Sequence, residues 1–297
     1  MDPIIALEQF ISGLIRACIL FLLASGLTLI FGVLRVVNFA HAAFATLGAF
    51  LTFTFVNSFF NGNLAVSFWV ALLLVPFCIA AVGFLVERLA LRRIYAEEHS
   101  YQILASFAFI LIFLDIVQMT WGKITRHVFK PPLLSGAITL PTTGIIIAAY
   151  DIFIVFLSAA VGVLLWSVLY KTKIGNMIRA SVSDREMANA LGMNVPWLYT
   201  GVFMGGTGLA GLAGVVLSAQ GAIVPGMDMH LIIQCFIVVV IGGLGNLIGC
   251  VLGAFIIGEV YAFGILVLPE LALAFIFIVM ALVMIFRPQG FLGQLME

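Results

Sequence analysis

Apolar residues fill long blocks of this chain, and polar residues cluster only between them. A helix needs about 20 such residues to cross the hydrocarbon of a bilayer. Blocks of that length fall at roughly 13–34, 39–60, 64–86, 101–121, 147–170 and 197–219, followed by a region from 229 to 286. That last region is too long for one span. GGLGN, Gly242 to Asn246, interrupts it, and LPE, Leu268 to Glu270, interrupts it again. The pattern predicts short helices near 230–241 and 247–266 and a final one near 270–286, making about eight to nine spans in all. Short alternating strands of the kind that build a membrane barrel do not occur in the pattern. The expectation is an all-α, polytopic transmembrane helical bundle with broken helices, forming one domain over residues 1–297.

Composition agrees. The chain is 64% hydrophobic and only 9% charged, against about 25% charged in a soluble domain. Net charge is zero, so no basic face points to nucleic acid. Cys18, Cys78, Cys235 and Cys250 all fall inside apolar blocks with no CxxC or Cys/His spacing, which reads as packed thiols without disulfide or metal. MDPIIALEQF carries no Lys or Arg, which argues against a cleaved signal peptide.

Basic residues set the orientation. Arg88, Arg92 and Arg93 follow the third block, Lys171, Lys173, Arg179 and Arg185 follow the fifth, and Arg287 follows the last. These positions are expected on the cytoplasmic side. The loop 122–146, with Lys123, Arg126 and Lys130, is then external, and counting back puts the N-terminus outside.

The sizeable polar segment on the cytoplasmic side is 171–196, KTKIGNMIRASVSDREMANALGMNVP. SDREMANALG reads as one short helix. Ser183 is placed to cap it, and Glu186, three residues on, to complete a capping box. Gly192 supplies the stop and Pro196 prevents continuation. Met187, Ala190 and Leu191 share a small apolar face at i, i+3, i+4. Two readings stand side by side: a rigid peg that passes force to a docking partner, or an ordinary interfacial helix.

RVVNFAHAAFATLGAF, residues 35–50, sets Asn38 and His41 between two apolar blocks. Asn38 is placed to cap a helix beginning at Phe39, with Ala40, Ala42, Ala43 and Ala45 leaving room around His41. Irregular backbone at membrane depth is tolerated where it lines a cavity, and interruptions in matching parts of a transporter mark its binding site. By that rule Asn38, Phe39 and His41, with Gly242, Gly243, Gly245 and Asn246, line a permeation path. The other reading is a tight cytoplasmic turn. His41 has no neighbour at ligand spacing, so no metal site is expected, and no catalytic constellation or cofactor motif occurs. An acid at mid-helix costs roughly 2.5–3.5 kcal/mol in a membrane. Asp115 and Glu259 are therefore expected to face the bundle interior, and Asp151 and Glu270 to sit at helix ends.

Gly245, Gly249 and Gly253 form GxxxGxxxG, and Gly201 with Gly205 forms GxxxG, with Gly208, Gly211 and Gly214 beyond. Such faces let helices approach closely, either within the chain or against a second subunit.

Several motifs together resemble one family. Glu186-Met-Ala188-x3-Gly192 resembles the EAA-x3-G loop of ABC importer permeases. GLTLIFGVLRVVNFAHA and VVVIGGLGNLIGCVLGA, with a terminal FRPQGFLG, resemble the permeases of branched-chain amino acid (LIV-type) importers, in order and spacing along nearly the whole chain. The family's NFAHG-E reads NFAHA-A here, at Ala42 and Ala43, which removes an acid. The resemblance implies a multi-pass permease of the bacterial inner membrane. It implies a second, related permease subunit, two ATP-binding cassette subunits and a periplasmic or extracellular solute-binding protein as partners. The implied cargo is a branched-chain or other small, mostly apolar amino acid, or a related carboxylate or amide. Ser183, Glu186, Met187, Ala188, Leu191 and Gly192 would then couple to the ATPase. The chain has no GxxxxGK[ST] run, so ATP would bind on a separate subunit. The alternative is a stand-alone small-solute channel or secondary carrier, against which the lack of NPA pairs and of paired charges in the spans speaks.

Overall fold

The computed structural model describes residues 3–58, 64–95, 97–139 and 144–293. They form α1 (Pro3–Leu34), α2 (His41–Ser58), α3 (Leu64–Val86), a π-helical turn (Glu87–Leu91), α4 (Arg92–Ile94), α5 (His99–Trp121), the strands β1 (Ala137–Thr139) and β2 (Ile146–Ala148), α6 (Ala149–Lys171), α7 (Lys173–Ser183), α8 (Arg185–Ala190), α9 (Val195–Gln220), α10 (Asp228–Gly242), α11 (Leu247–Val267) and α12 (Ala272–Phe286). Among the described residues, seven segments are long and apolar enough to cross a membrane, and α10 is a shorter apolar helix. The chain is an all-α polytopic bundle, as its pattern predicts. The predicted span 39–60 starts at His41, and its last two residues lie outside the described residues.

Burial sorts the helices into layers. Two-thirds of the apolar stretch of α1 and of α9 is buried, 67% in each, against 22% for α3, α5 and α6 and 11% for the last helix. α1 and α9 are thus the axis, with the largely buried α2 and α10 beside them, and α3, α5, α6 and α12 form the outer, lipid-facing coat. Glycine makes the axis possible. Gly206 lies against Gly26 and Ile30 of α1, Gly211 against Ile79 of α3, and Gly214 against the Ala45 backbone of α2. A methyl group at any of the three would overlap those neighbours. Gly249 and Gly253 likewise press α11 onto Gly242 and Val238 of α10. These glycine faces therefore pack within the chain, whereas Gly201 faces open space.

The two ends of the bundle differ. At one end, here the inner end, the close of α1 meets the α10–α11 link, with Gly32 against Gly245. The C-terminal segment joins them there, Phe291 N–H donating to Ile241 O at 2.8 Å. α7 and α8 border the same end. At the opposite end Arg126 and Ile223 form a β-bridge, and β1 pairs antiparallel with β2, Ile138 opposite Ile147.

Two expectations change. α1 begins at Pro3, ten residues before the predicted block, because Pro3 suits a first helical turn and nothing breaks the helix before Arg35. Asp115 does not face the interior. Ile110, Phe113 and Val117 form the buried stripe of α5, which turns Asp115 outward, where it is exposed. It lies six residues, about 9 Å, from the end of the helix. Glu259 is half-buried with its carboxylate packed over Gly13 of α1. Asp151 and Glu270 sit in first turns, Asp151 accepting from Gln220 Nε2 at 3.2 Å.

Candidate functional site

The break between α1 and α2 runs back into the bundle. α1 ends on Arg35, whose N–H donates to Phe31 O at 2.9 Å and whose φ is 56°. That left-handed conformation is costly for a side chain other than glycine, and it reverses the chain. Residues 36–40 then climb alongside α1, so that His41, the first residue of α2, meets Leu23 O through Nε2 at 3.0 Å. Leu23 lies nine residues before Gly32, about 13 Å up the helix from the inner end. α2 therefore starts near mid-depth.

Asn38 accepts the Ala40 N–H on Oδ1 at 3.1 Å, an Asx turn, and α2 starts at His41 rather than at Phe39. Phe39 stacks on Phe236 of α10 at 5.9 Å between centroids. The small residues close the space that they were expected to leave open. With no bulk at Ala40, Ala42, Ala43 and Ala45, α1 and α9 move in, and His41 is 0% and Asn38 2% exposed. Asn38 Nδ2 and His41 Nδ1 are buried without a hydrogen-bond partner among the described residues.

The second break is a built corner. Gly243 and Gly245 take φ of 101° and 83°, conformations that need glycine. Asn246 caps α11, its Oδ1 accepting from Gly249 N at 3.0 Å, while its Nδ2 donates to Leu292 O at 2.8 Å. Gly242 packs on Gly249 and Gly243 on Gly293, so neither faces open space.

Beside this corner lies a cavity of about 540 Å³. Ser25, Thr28, Gly32 and Arg35 of α1 and its turn form one side. Gly245 and Asn246 form another, and Ile178, Arg179 and Ser183 of α7 a third. Of the seven residues predicted to line a path, Gly245 and Asn246 border this cavity. Asn38, Phe39 and His41 hold the broken start of α2, and Gly242 and Gly243 seat the C-terminal segment. Arg35 and Arg179 bring cations to the cavity. Neither was among the predicted site residues, and no turn signal in the sequence marks Arg35.

The 171–196 loop holds two helices, not one. Thr172 caps α7, its Oγ1 accepting from Gly175 N at 3.2 Å. Ser183 ends α7 and lines the cavity instead of capping the next helix. Asp184 takes that place, its Oδ1 accepting from Met187 N at 2.9 Å. The correction has a simple cause: α7 continues through Ser183, so the first non-helical residue is Asp184, and an ionised oxygen is the stronger acceptor. Glu186 stays in the first turn, exposed. At the far end Gly192 has φ 84°. Its N–H donates to Asn189 O at 2.9 Å, and Met193 N–H donates to Ala188 O at 3.1 Å, the paired bonds of a Schellman stop.

α8 has two unlike sides. Ala188, 2% exposed, packs in a small cluster with Val33 of α1, Ile178 of α7 and Val195, Tyr199 and Val202 of α9. Met187 and Leu191 point away from the protein, 56% and 73% exposed. Val33 and Ile178 belong both to this cluster and to the cavity wall.

Residues 9–284 match a family described as branched-chain amino acid transport system / permease component. The high-affinity branched-chain amino acid transport system permease protein BraD of Pseudomonas aeruginosa is 26% identical over 296 residues, covering 97% of this chain and 96% of that protein. LivH of Escherichia coli K12, a permease protein of the same description, is 24% identical over 300 residues, with 97% and 96% covered. A probable branched-chain amino acid transport permease protein LivH of Methanocaldococcus jannaschii is 30% identical over 264 residues, with 83% and 77% covered. No solved structure matches the chain.

Proposed function

Since the chain belongs to the family of branched-chain amino acid transport permeases, we propose that it forms one half of the membrane channel of an ATP-driven importer for small, mostly apolar amino acids or related carboxylates and amides. It is a multi-pass membrane transport subunit and not an enzyme. The proposed partners are a second, related permease subunit, two ATP-binding cassette subunits docked at the inner end, and a solute-binding protein at the outer end, in the inner membrane of a bacterium.

One observation carries the coupling. α8 offers Met187 and Leu191 outward, while its other side is plugged by Ala188 into a cluster that shares Val33 and Ile178 with the cavity wall. A push on α8 therefore reaches the cavity through two packed side chains, with no flexible link between. Exposed apolar residues on a capped and stopped helix suit a partner's cleft better than water. The cavity, with Gly245 and Asn246 on its wall, is the inner mouth of the path. Asn38 and His41 fix the start of α2 above it. A cavity of this size admits an amino acid with room to leave, and its wall is mixed: Leu, Val and Ile side chains alternate with polar groups that include Ser25, Thr28, Arg35, Arg179 and Asn246.

Co-purification and reconstitution test the reading. The complex of this permease, its related permease, the ATPase and the binding protein should import leucine into proteoliposomes with stimulated ATP hydrolysis. Leucine import by this chain alone, without ATPase, would overturn it.

A further inference from the structure

α1 carries a half-buried arginine within its apolar stretch. Arg16 Nη2 donates to Gln234 Oε1 of α10 at 3.2 Å, and its guanidinium lies 3.5 Å over the ring of Tyr261 on α11. Gln234 is six residues from the outer end of α10 and eight from the inner, near its midpoint. Arg16 lies seven residues, about 10 Å, nearer the outer end than Leu23, and Tyr261 six residues from the outer end of α11, so the guanidinium sits in the outer half of the bundle. Its two neighbours are neutral, no carboxylate among the described residues lies within salt-bridge distance, and Nε has no hydrogen-bond partner. A cation at this depth is costly unless it pairs or meets water.

The surroundings lead outward. Glu8, Ser12 and Arg16 recur every four residues along one face of α1, and His230 and Gln234 do the same on α10. The Arg16–Gln234 bond sets the two faces side by side. Both helices run from the outer end inward, so Ser12 and Glu8 lie above Arg16, and His230 above Gln234. Glu8, Ser12 and His230 are exposed, Arg16 is half-buried and Gln234 is nearly closed off. Polar side chains therefore descend from the outer surface and stop at an arginine with donors to spare. A guanidinium has five N–H groups in a planar fork that fits a carboxylate with two parallel bonds.

We propose that this lane is an entry path and that Arg16 binds the carboxylate of the incoming solute, with Tyr261 and Gln234 holding the guanidinium in place. The proposal rests on the amino acid import reading above and places the solute's carboxylate at a residue that reading does not use. A Tyr ring under the guanidinium and a single neutral acceptor keep Arg16 oriented without neutralising it, which leaves its charge for the ligand.

The test uses the full transport complex in proteoliposomes, with Cys18, Cys78, Cys235 and Cys250 replaced by serine. Ser12→Cys should react from outside with membrane-impermeant methanethiosulfonates. Arg16→Gln should lower the ratio of anionic to cationic reagent rates about ten-fold, since one positive charge beside the thiol is removed. Leucine-loaded binding protein should slow the reaction during turnover. In the unmodified cysteine background, Arg16→Gln should cut leucine uptake about ten-fold or more, the loss of a charge-assisted bond, and Arg16→Lys should recover part of it. An unreactive Ser12→Cys, an unchanged reagent ratio, or wild-type uptake by Arg16→Gln overturns the site. So does labelling blocked equally with and without leucine, which would show a partner subunit's carboxylate on Arg16. A wild-type complex that imports no leucine overturns the import reading itself, whatever the labelling shows.

Discussion

Replacing Gly192 separates backbone geometry from contact with a partner. Gly192 closes α8 at φ 84°, and a Cβ built on it meets nothing within 4 Å. Within this chain, therefore, side-chain size at 192 costs nothing, and conformation costs everything. An alanine in the left-handed region costs roughly 1–2 kcal/mol, which is about a 5–30-fold shift against the stopped helix. Asparagine tolerates that region far better, because its short polar chain bonds locally. A β-branched residue is worse than alanine. The expected order of coupling is then glycine, asparagine, alanine, valine, although asparagine is larger than alanine.

The assay is leucine uptake per ATP hydrolysed in the reconstituted complex, with insertion checked by membrane fractionation. Gly192→Asn should keep most of the wild-type ratio. Gly192→Ala should lose several-fold, and Gly192→Val should lose nearly all of it while still inserting. An order set by volume, with alanine above asparagine, would refute the backbone argument and show that residue 192 itself enters the partner's cleft. Undiminished substrate-stimulated hydrolysis in Gly192→Val would remove α8 from the coupling path altogether.

Three further outcomes follow from the hydrogen bonds. Asp184→Ala should weaken α8 by about 1 kcal/mol through loss of its cap on Met187 N, seen as faster proteolysis between 171 and 196, whereas Ser183→Ala should leave that rate unchanged. Asn246→Ala removes both the α11 cap and the bond to Leu292 O; about 1–2 kcal/mol of local stability should go with it, and residues 287–293 should exchange amide protons faster. His41→Ala should destabilise the α1–α2 junction by about 1–3 kcal/mol through the lost bond to Leu23 O and the void left behind. It should lower turnover without changing which solute is imported, while exchange of the binding protein should change the solute; an altered preference in His41→Ala with the same binding protein would place selection in the membrane path.

The helices were legible because bilayer length and apolar composition leave few alternatives. Breaks were legible where glycine had to supply positive φ, as at Gly243 and Gly245. Arg35 shows the limit: it reverses the chain at φ 56° with a residue that carries no turn signal. The cap of α8 was misplaced by one residue because serine and aspartate are both good caps, and only the preceding helix α7 decides between them. α7 itself was missed because Lys173, Asn176 and Arg179 make it read as a polar loop, while its buried side is only Gly175, Ile178 and Ser181. Small residues misled about His41 for a deeper reason. In sequence, an alanine-rich stretch is compatible with open space or with close approach, and the choice belongs to the glycines of α9, which are more than 160 residues away.

That choice bears on how such a permease can move. Where Gly206, Gly211 and Gly214 lock α9 onto α1, α2 and α3, there is little slack for one helix to slide past another, because their Cα atoms press on the backbone of Gly26 and Ala45 and on the β-branched side chains of Ile30 and Ile79. Slack exists at the inner mouth, where α7 and the turn at Arg35 flank a cavity of about 540 Å³. In the proposed coupling, a force applied at Met187 and Leu191 enters through Ala188 and arrives at Val33 and Ile178, on the wall of that space. The locked helices then serve as the fixed frame, and the displaced element is the α6–α7 corner, which Thr172 and Gly175 hold in a tight turn. Rocking of this corner against α1 changes the width of the inner mouth without breaking any glycine contact of α9. Under the proposed coupling, the chain gates by its rim and keeps its axis rigid.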